Sequence, residues 1–427
     1  MKLIYITIEA TAREYYPKLL LSYLAAKKGY TVVLGDISKF FSNNYNYKGI
    51  FHYKDIAPSL WGLPLFEKLK KRGFKITSLD EEGGIENKEF DNKKSDSFLK
   101  LRFSQKTFQL VDKVFTWGNF DHNSISDEYK EFKDKIIITG NPRYDFCNSK
   151  LDFFFDGEKG EDNNISQKPI LIISDIGNVM SQKPIWDQIE IARNAYFKND
   201  NSKNHEDEIF EISANKTVFL GEFIKLIRKL AKNFPNEKFI FRPHPTESLL
   251  AWRNLIGDYS NINITNEKNS IHWIRKCKLM IHNSCYTALE ASLLKKPIIS
   301  FCPERCKNFR KHFLSKFGSQ TTDFSQTKEL LENFLKDNNI LNENISKNFE
   351  LVQERVNFDE KLSAKKILDE WEDINDELNL SKIKTFSFYL QIFFIKIFYF
   401  FRSIAKKFLS FFGVEIIKHS KFEEFNK

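Results

Sequence analysis

Short segments of the type that forms buried strands alternate with helical segments along most of this chain of 427 residues. Residues 2–8 have a strand pattern, residues 14–28 carry apolar side chains at helical spacing, and residues 30–36 return to a strand pattern. A strand, a helix and a second strand in this order form a βαβ unit, in which the two strands are parallel. We therefore predict parallel sheets that are covered by helices on both faces.

The same alternation continues on both sides of a polar stretch at residues 156–168, which has the composition of a linker. Residues 197–213 are charged and rich in Asn, and they are predicted to form an insertion loop. The other predicted strands are at 49–53, 75–78, 113–116, 135–139, 169–174, 238–242, 262–265, 278–282 and 297–301, and the other predicted helices are at 217–234, 248–256, 271–276, 287–294 and within 327–380.

These segments predict an α/β protein of two doubly wound, Rossmann-type domains that face each other across a cleft. Residues 1–155 are assigned to the first domain and residues 165–345 to the second. Residues 346–382 are predicted to be closing helices, the last of which crosses back to the first domain, and residues 383–427 a helical amphipathic tail. Ligands of such sheets bind outside the carboxyl ends of the strands, so the polar residues after each predicted strand are the candidate site residues.

Composition narrows the class of protein further. With 41% hydrophobic residues the chain can bury a large core, and its five cysteines lack the paired CxxC spacing of a zinc site. The first residues turn polar at Glu9 and lack the apolar run and the cleavage site of a secretory signal. We expect reduced thiols in a cytoplasmic protein, with no bound metal and no cofactor.

The positive charge of the chain is concentrated near its carboxyl end. The net charge is +9, and residues 382–427 contribute +6 of it with nine Lys or Arg against three Glu. Residues 384–413 contain ten Phe interrupted by cations, too charged for a membrane span but typical of a helix lying in an anionic lipid interface. This pattern predicts peripheral attachment to the inner face of the cytoplasmic membrane, with packing against a partner or a second subunit as the alternative. Nucleic-acid binding is disfavoured because the charge accompanies a Phe-rich run.

The most specific motif is Arg242-Pro243-His244-Pro245, directly after a predicted strand of the second domain. A cation and an imidazole at that position can bind phosphate oxygens, and the prolines stiffen the loop. The alternative is a proline-rich turn with a solvated Arg and a packed His.

A second motif follows the predicted strand at 278–282. Asn283, Ser284 and Thr287 precede or open a helix that has Ser or Thr near its N-cap, and the N-terminus of this helix is predicted to hold a nucleotide phosphate. Glu290, about one turn later, is placed to accept a hydrogen bond from a ribose hydroxyl, and Asn178 is predicted to border the same ligand. The alternative is an ordinary capped helix with a solvated Glu290.

The first domain offers an acidic turn, Asp80-Glu81-Glu82, followed by two glycines. A carboxylate at this edge of the sheet can act as a general base for an acceptor hydroxyl or as a nucleophile on an anomeric carbon, and the alternative is an acidic surface turn. Other strand ends of this domain place further polar residues either in the cleft or in structural roles, namely Arg13, Glu14, Asn141, Arg143 and Asp145.

Taken together, these motifs resemble the bacterial surface carbohydrate biosynthesis protein family over roughly residues 1–350. The family resembles GT-B glycosyltransferases, including the retaining Kdo transferases, and its proline-histidine-proline element is similar to that of CDP-glycerol polyol-phosphate transferases. The residues that carry the resemblance are Ile8-Glu9, Arg13-Glu14, Lys18-Leu19-Leu20-Leu21, Asp80-Glu81-Glu82-Gly83-Gly84, Trp117-Gly118, Thr139-Gly140-Asn141-Pro142-Arg143-Tyr144-Asp145, Ile176-Gly177-Asn178, Arg242-Pro243-His244-Pro245, His282-Asn283-Ser284 and Glu290-Ala291.

The resemblance implies a GT-B glycosyltransferase of surface polysaccharide biosynthesis that transfers a sugar, such as Kdo or a related ulosonic acid, from a CMP-activated donor. The second domain would hold the donor and the acidic turn would face the sugar and a glycan or lipid-linked glycan acceptor. Two alternatives stay open at this point: a CDP-polyol phosphotransferase with His244 in a catalytic role, and a non-catalytic protein that binds nucleotide sugars. The donor positions implied are Arg242, His244, Asn283, Ser284 and Glu290.

Overall fold

The computed structural model describes most of both predicted domains. The residues it describes are 2–36, 47–59, 62–83, 99, 102–156, 167–181, 187, 190, 204–306 and 313–377. The predicted tail at 383–427 lies outside the described residues, as does most of the predicted linker.

The described strands form two six-stranded, fully parallel sheets. The first sheet has the order β2-β1-β3-β4-β5-β6 and the second has the order β12-β11-β10-β7-β8-β9. The strands are β1 Lys2–Ile8, β2 Tyr30–Asp36, β3 Ile50–Tyr53, β4 Lys75–Leu79, β5 Lys113–Thr116, β6 Ile136–Ile138, β7 Ile170–Ile173, β8 Phe239–Arg242, β9 Ile262–Ile264, β10 Leu279–His282, β11 Ile298–Phe301 and β12 Ser319–Thr321.

Helices connect these strands as the alternation in the sequence requires. The described α-helices are α1 Thr11–Lys27, α2 Gly62–Lys71, α3 Gln105–Leu110, α4 Asn119–Glu128, α5 Pro142–Asp145, α6 Phe153–Asp156, α7 Asn204–Asn233, α8 Leu249–Ile256, α9 Ser270–Lys276, α10 Thr287–Leu293, α11 Phe324–Lys336, α12 Asn342–Gln353 and α13 Ser363–Glu377. The architecture confirms the predicted fold class of two doubly wound sheets.

Both sheets reverse their winding direction next to their first strand. In the first sheet β2 and β3 lie on opposite sides of β1, and in the second sheet β8 and β10 lie on opposite sides of β7. The crevice at such a reversal is where doubly wound sheets bind ligands. The structure therefore directs attention to the residues that follow β7, β8 and β10.

The apolar strands are buried on both faces, as parallel strands between helices must be. One buried apolar cluster continues from the first sheet into the second and includes Trp117, Tyr144, Phe146 and Trp273. The last described helix, α13, packs back on the first sheet, where the fully buried Trp371 donates its indole N–H to the Thr77 hydroxyl at 3.0 Å. The predicted return of this helix to the first domain is confirmed.

Two sequence predictions of secondary structure are wrong. The predicted insertion loop at 197–213 is helical from Asn204 onward, because α7 begins there. Its early acidic residues, which favoured a loop, are also the residues that stabilise a helix N-terminus. The edge strand β12 was not predicted, since Ser319–Thr321 is short and polar.

Within the described residues, no helix has the length and apolar character needed to cross a membrane.

Candidate functional site

The site is built from three loops that leave adjacent strands of the second sheet. Ile173, the last residue of β7, lies in register with Arg242 of β8 on one side and with His282 of β10 on the other. The loops at residues 174–177, 243–247 and 283–286 therefore begin side by side at the reversal point of this sheet.

Glu247 holds two of these loops together. Its buried carboxylate accepts hydrogen bonds from the backbone N–H groups of Ile176 at 2.7 Å and Gly177 at 2.9 Å, from the Ser174 hydroxyl at 2.5 Å and from the Trp252 indole at 2.8 Å. The sequence analysis missed Glu247, although it follows the proline-histidine motif by two residues. Its role is to fix the loops, because its oxygens are occupied by these four donors and by the His244 backbone N–H at 3.3 Å.

Asn283 joins the third loop to the first. Its side-chain oxygen accepts from the Asp175 backbone N–H at 2.7 Å, which makes it a support for the loops. Ser284 lies in the left-handed region with φ of 64°, a conformation that costs free energy for a residue other than glycine. Ser284 and Thr287 lie near the N-cap of α10, as predicted, but neither caps it: the N-cap residue is Tyr286 without a side-chain cap, and the Thr287 hydroxyl donates to the Cys285 sulfur.

Arg242 is the residue that this framework leaves without a partner. It is 6% exposed, its Nη1 has no hydrogen-bond partner, and its guanidinium makes no ion pair with any described residue. Burial lowers the pKa of Arg242, and the nearby Glu290 partly offsets that effect. Because a buried guanidinium without a partner is costly, this position favours an anion as its ligand.

A second cation, Lys216, lies near the loop at 174–177. The Lys216 ammonium of α7 is 3.2 Å from the point that a Cβ on Gly177 would occupy. The residue is half-buried, and it has no hydrogen bond or ion pair to any residue the structure describes. No motif in the sequence points to Lys216, because its approach to the loop at 174–177 depends on how α7 packs.

His244 is oriented by its own loop. The Thr246 backbone N–H donates to His244 Nδ1 at 3.3 Å, and the Thr246 hydroxyl lies 2.8 Å from the same nitrogen. An Nδ1 that accepts a hydrogen bond leaves the proton of the neutral ring on Nε2, which can then donate to an anion.

Asn178 lies in the single helical turn Gly177–Met180, and its side chain is outside the described part of the structure.

The acidic turn of the first sheet is mostly occupied by internal ion pairs. Asp80 receives two hydrogen bonds from Arg102, the one from Nε being 2.8 Å long. Glu81 and Glu14 share the buried Lys18 ammonium, at 3.2 Å and 2.6 Å. Burial raises the pKa of Glu81, whereas for Glu14 the effect of burial is outweighed by Lys18 and Arg13, which lower its pKa to about 2.

Glu82 is the acidic residue of this turn that faces solvent. Its side chain is 48% exposed and pairs with Arg13 at 3.1 Å and Arg102 at 3.5 Å. Burial alone would raise the pKa of Glu82, but these guanidinium groups lower it, so the carboxylate is ionised at neutral pH. The Tyr286 hydroxyl of the third loop donates to the Glu82 carbonyl at 2.9 Å, which brings the turn to the edge of the second sheet.

A buried ion pair joins the two sheets below this point. Arg143 Nε donates to Glu290 at 2.6 Å, and the Ser270 hydroxyl donates to the other Glu290 oxygen at 2.8 Å. Asn141 accepts from the Arg143 backbone N–H at 2.9 Å and so supports the guanidinium. Both Glu290 oxygens are therefore engaged by protein groups, and a ribose contact at this residue stays a prediction.

Asp145 lies at a different place from its neighbour Arg143. Its carboxylate accepts from the backbone N–H groups of Ser363 at 2.7 Å and Ala364 at 2.9 Å, at the start of α13. Burial raises the pKa of Asp145 to about 6, although these hydrogen bonds oppose that shift. Both Asp145 oxygens therefore anchor the start of α13, and a role of this residue in the cleft stays a prediction.

The five cysteines are buried, and none is joined to another by a disulfide bond. Among the described residues, no three His, Cys, Asp or Glu side chains are arranged to hold a metal ion.

Solved structures share this fold at low sequence identity. The putative UDP-N-acetylglucosamine 2-epimerase from Listeria monocytogenes matches with a TM-score of 0.52 and 12% identity, over 89% of this chain and 98% of that chain. The MnaA protein of S. aureus, solved with UDP, matches with 0.50 and 14%, over 90% and 99%. A variant of the wall teichoic acid polymerase TagF matches with 0.52 and 12%, over 88% and 89%.

No family model and no curated protein matches the sequence. At 12 to 14% identity, the structural matches establish the fold, which is the GT-B arrangement of two Rossmann-type domains.

Proposed function

We propose that this protein is a GT-B glycosyltransferase of surface polysaccharide biosynthesis, with a nucleotide-activated sugar as its donor. The observation that carries the proposal is the buried, unpaired guanidinium of Arg242 at the reversal point of the second sheet. A phosphate of the donor would supply the missing anion, and charge-assisted hydrogen bonds of this kind are among the strong ones in proteins.

Three groups on or against the loops that begin side by side at this reversal point suit the phosphate that leaves with the nucleotide. Arg242, the Lys216 ammonium and the Nε2–H of His244 would stabilise the negative charge that develops as the bond between the sugar and the phosphate breaks. The hydrogen bond from the Thr246 backbone to His244 Nδ1 supports a donor role for this ring more than a role as a base. This observation favours sugar transfer over polyol-phosphate transfer with a catalytic His244.

Glu82 is the best-placed acceptor-side group of the predicted carboxylates, because Asp80 and Glu81 are buried in ion pairs. In the proposed reaction, the acceptor hydroxyl oxygen bonds to the anomeric carbon and its proton passes to the ionised Glu82. The bond from that carbon to the phosphate oxygen breaks, and the nucleotide leaves with the electron pair. Whether the anomeric configuration is retained or inverted is left open.

The donor within this class is proposed from the sequence resemblance. The motifs of the second domain resemble those of proteins that use cytidine nucleotides, so we propose a CMP-activated ulosonic acid such as Kdo. The acceptor would be a glycan or a lipid-linked glycan, with attachment to the anionic inner face of the cytoplasmic membrane through the basic, Phe-rich residues at 383–427.

The test is a panel of CMP-, CDP-, UDP- and GDP-activated donors, scored for nucleotide release and for sugar joined to an acceptor. We expect release from a CMP-sugar, and we expect Arg242→Met to weaken binding of that donor about 10- to 100-fold, because two charge-assisted hydrogen bonds are lost. Arg253→Met, which removes an exposed Arg from the same domain, is the matched control and is expected to bind the donor normally.

Each alternative has its own signature in this experiment. Donor phosphorus found in the product would identify a polyol-phosphate transferase, and isomerised UDP-sugar without an acceptor would identify an epimerase. Binding without turnover over a broad acceptor panel would identify a non-catalytic protein. Unchanged donor affinity in Arg242→Met would refute the phosphate site.

A further inference from the structure

The outer face of α1 is apolar where a surface helix is usually polar. Tyr15, Leu19 and Tyr23 are 41%, 39% and 61% exposed, and they follow one another at intervals of four residues, so they share one face. The other exposed positions of α1 are two alanines, Thr11 at its start and Lys27 at its end. An amphipathic surface helix usually has charged residues at its exposed positions. Between the two ends of α1, none of the exposed positions is charged.

The apolar face continues onto the neighbouring helix α6. The Tyr16 ring of α1 contacts the Phe154 ring at a centroid distance of 5.1 Å. Next to Phe154, the Phe153 side chain is 68% exposed. We call Tyr15, Leu19, Tyr23 and Phe153 the α1 surface, and such contiguous exposed apolar side chains mark interaction sites.

The α1 surface starts beside the proposed acceptor site. Arg13 and Glu14 belong to the first turn of α1, and Arg13 pairs with Glu82 at 3.1 Å. A partner that lies along the α1 surface would therefore reach the mouth of the site where the acceptor hydroxyl is proposed to react.

We propose that the α1 surface lies on a lipid bilayer and that the acceptor is consequently lipid-linked. The tyrosines combine an apolar ring with a polar tip, which suits the headgroup region. The charge at an exposed α1 position, Lys27, is positive, so the surface is compatible with anionic lipid. The helix α13, which precedes the basic and Phe-rich residues 384–413, packs against α1 and pairs Glu372 with Lys28 at 3.2 Å.

This inference rests on the proposed function only for the identity of the acceptor, since lipid contact is measured without donor or acceptor. The first measurement is sedimentation of the full chain with vesicles of equal parts phosphatidylethanolamine and phosphatidylglycerol. We expect the double variant Leu19→Ser with Tyr23→Ser to lower vesicle affinity at least about tenfold, because two large apolar side chains no longer enter the interface. The matched control is Leu250→Ser with Leu255→Ser, which removes exposed apolar side chains of α8, and it is expected to bind like the parent.

The second measurement locates the contact. A polarity-sensitive fluorophore is attached to Leu19→Cys or, as the control, to Leu250→Cys, which is possible because the native cysteines are buried. Vesicles are expected to shift the emission of the Leu19→Cys probe to the blue and to leave the Leu250→Cys probe unchanged.

Three results would overturn the proposal. A Leu19→Cys probe that is already shielded in dilute protein without vesicles would show that another part of the chain covers α1. Shielding that grows with protein concentration would identify a second copy as the occupant. A probe that stays exposed while the protein sediments with vesicles would show that the membrane is contacted elsewhere.

Discussion

The two sheets differ in whether the buried charges at the carboxyl ends of their strands are paired. At the strand ends of the first sheet, the buried charges of Glu14, Lys18, Asp80 and Glu81 are neutralised by neighbouring side chains. At the strand ends of the second sheet, the buried guanidinium of Arg242 makes no ion pair with any described residue. This difference favours the second sheet as the place where an anion binds, because the charges at the first sheet are already balanced within the protein.

The largest expected effect concerns Glu247, which orders the loops at the strand ends of the second sheet. Glu247→Ala leaves three backbone N–H groups, a hydroxyl and an indole without their acceptor, and we expect it to lower the free energy of unfolding by about 3–5 kcal/mol. Urea denaturation measures this change. Glu247→Gln keeps one acceptor oxygen and is expected to lose less. Equal stability of all three proteins would show that the loops are ordered by other contacts.

The next largest effect concerns how the stability of the protein depends on pH through Glu14, at the strand ends of the first sheet. Lys18 and Arg13 lower the folded pKa of Glu14 to about 2 from an ordinary value of 4.5, so the carboxylate contributes about 3 kcal/mol to stability above pH 4.5. That contribution is lost as the pH falls from 4.5 towards 2, because the folded state must then take up a proton. We expect Glu14→Gln to be less stable than the parent at pH 7 and the difference to shrink over that range.

A control separates this effect from ordinary ion-pair loss. Glu372 pairs with Lys28 in a solvated position, and Glu372→Gln is expected to change stability by less than about 1 kcal/mol. If Glu14→Gln behaved like this variant in unfolding titrations between pH 2 and pH 7, the buried pair would not be the stabilising element proposed.

The smallest expected effect is a gain in stability rather than a loss. Arg242→Met removes a buried charge without a partner, so we expect stability in the absence of ligand to stay the same or to rise by about 1 kcal/mol. The melting temperature of the ligand-free variant measures this. A clear loss of stability would mean that Arg242 is held by the protein itself, and the contrast between the two sheets would then disappear.

Much of the fold was predictable because strand and helix periodicity is local. The order of strands and helices follows from apolar spacing, whereas the contact of α13 with the first sheet, made by Trp371, depends on packing. The errors arose where local composition is ambiguous. Acidic residues at the start of α7 are equally compatible with a loop, and the polar Ser319–Thr321 forms a strand only because β11 provides its hydrogen-bonding partner.

The candidate site was predictable in its location but only partly in its members. Strand ends at a winding reversal are known from topology, so Arg242 and the loop at 283–286 were found from the sequence. Glu247 and Lys216 were not, because their contacts depend on how the loop at 174–177 folds against β8 and α7. Asp145 and Glu290 were predicted as site residues, and only packing brings Asp145 to the start of α13 and Glu290 to Arg143 and Ser270.

The sequence by itself determined the parallel αβ alternation and the edge at which polar residues gather, since both depend on near neighbours in the chain. Only the tertiary structure decided which of those polar residues are neutralised and which are not. The pairs of Arg143 with Glu290 and of Lys18 with Glu81 join segments 147 and 63 positions apart. Charge compensation in a buried site depends on distances of a few ångströms, and such distances exist only once the chain is packed.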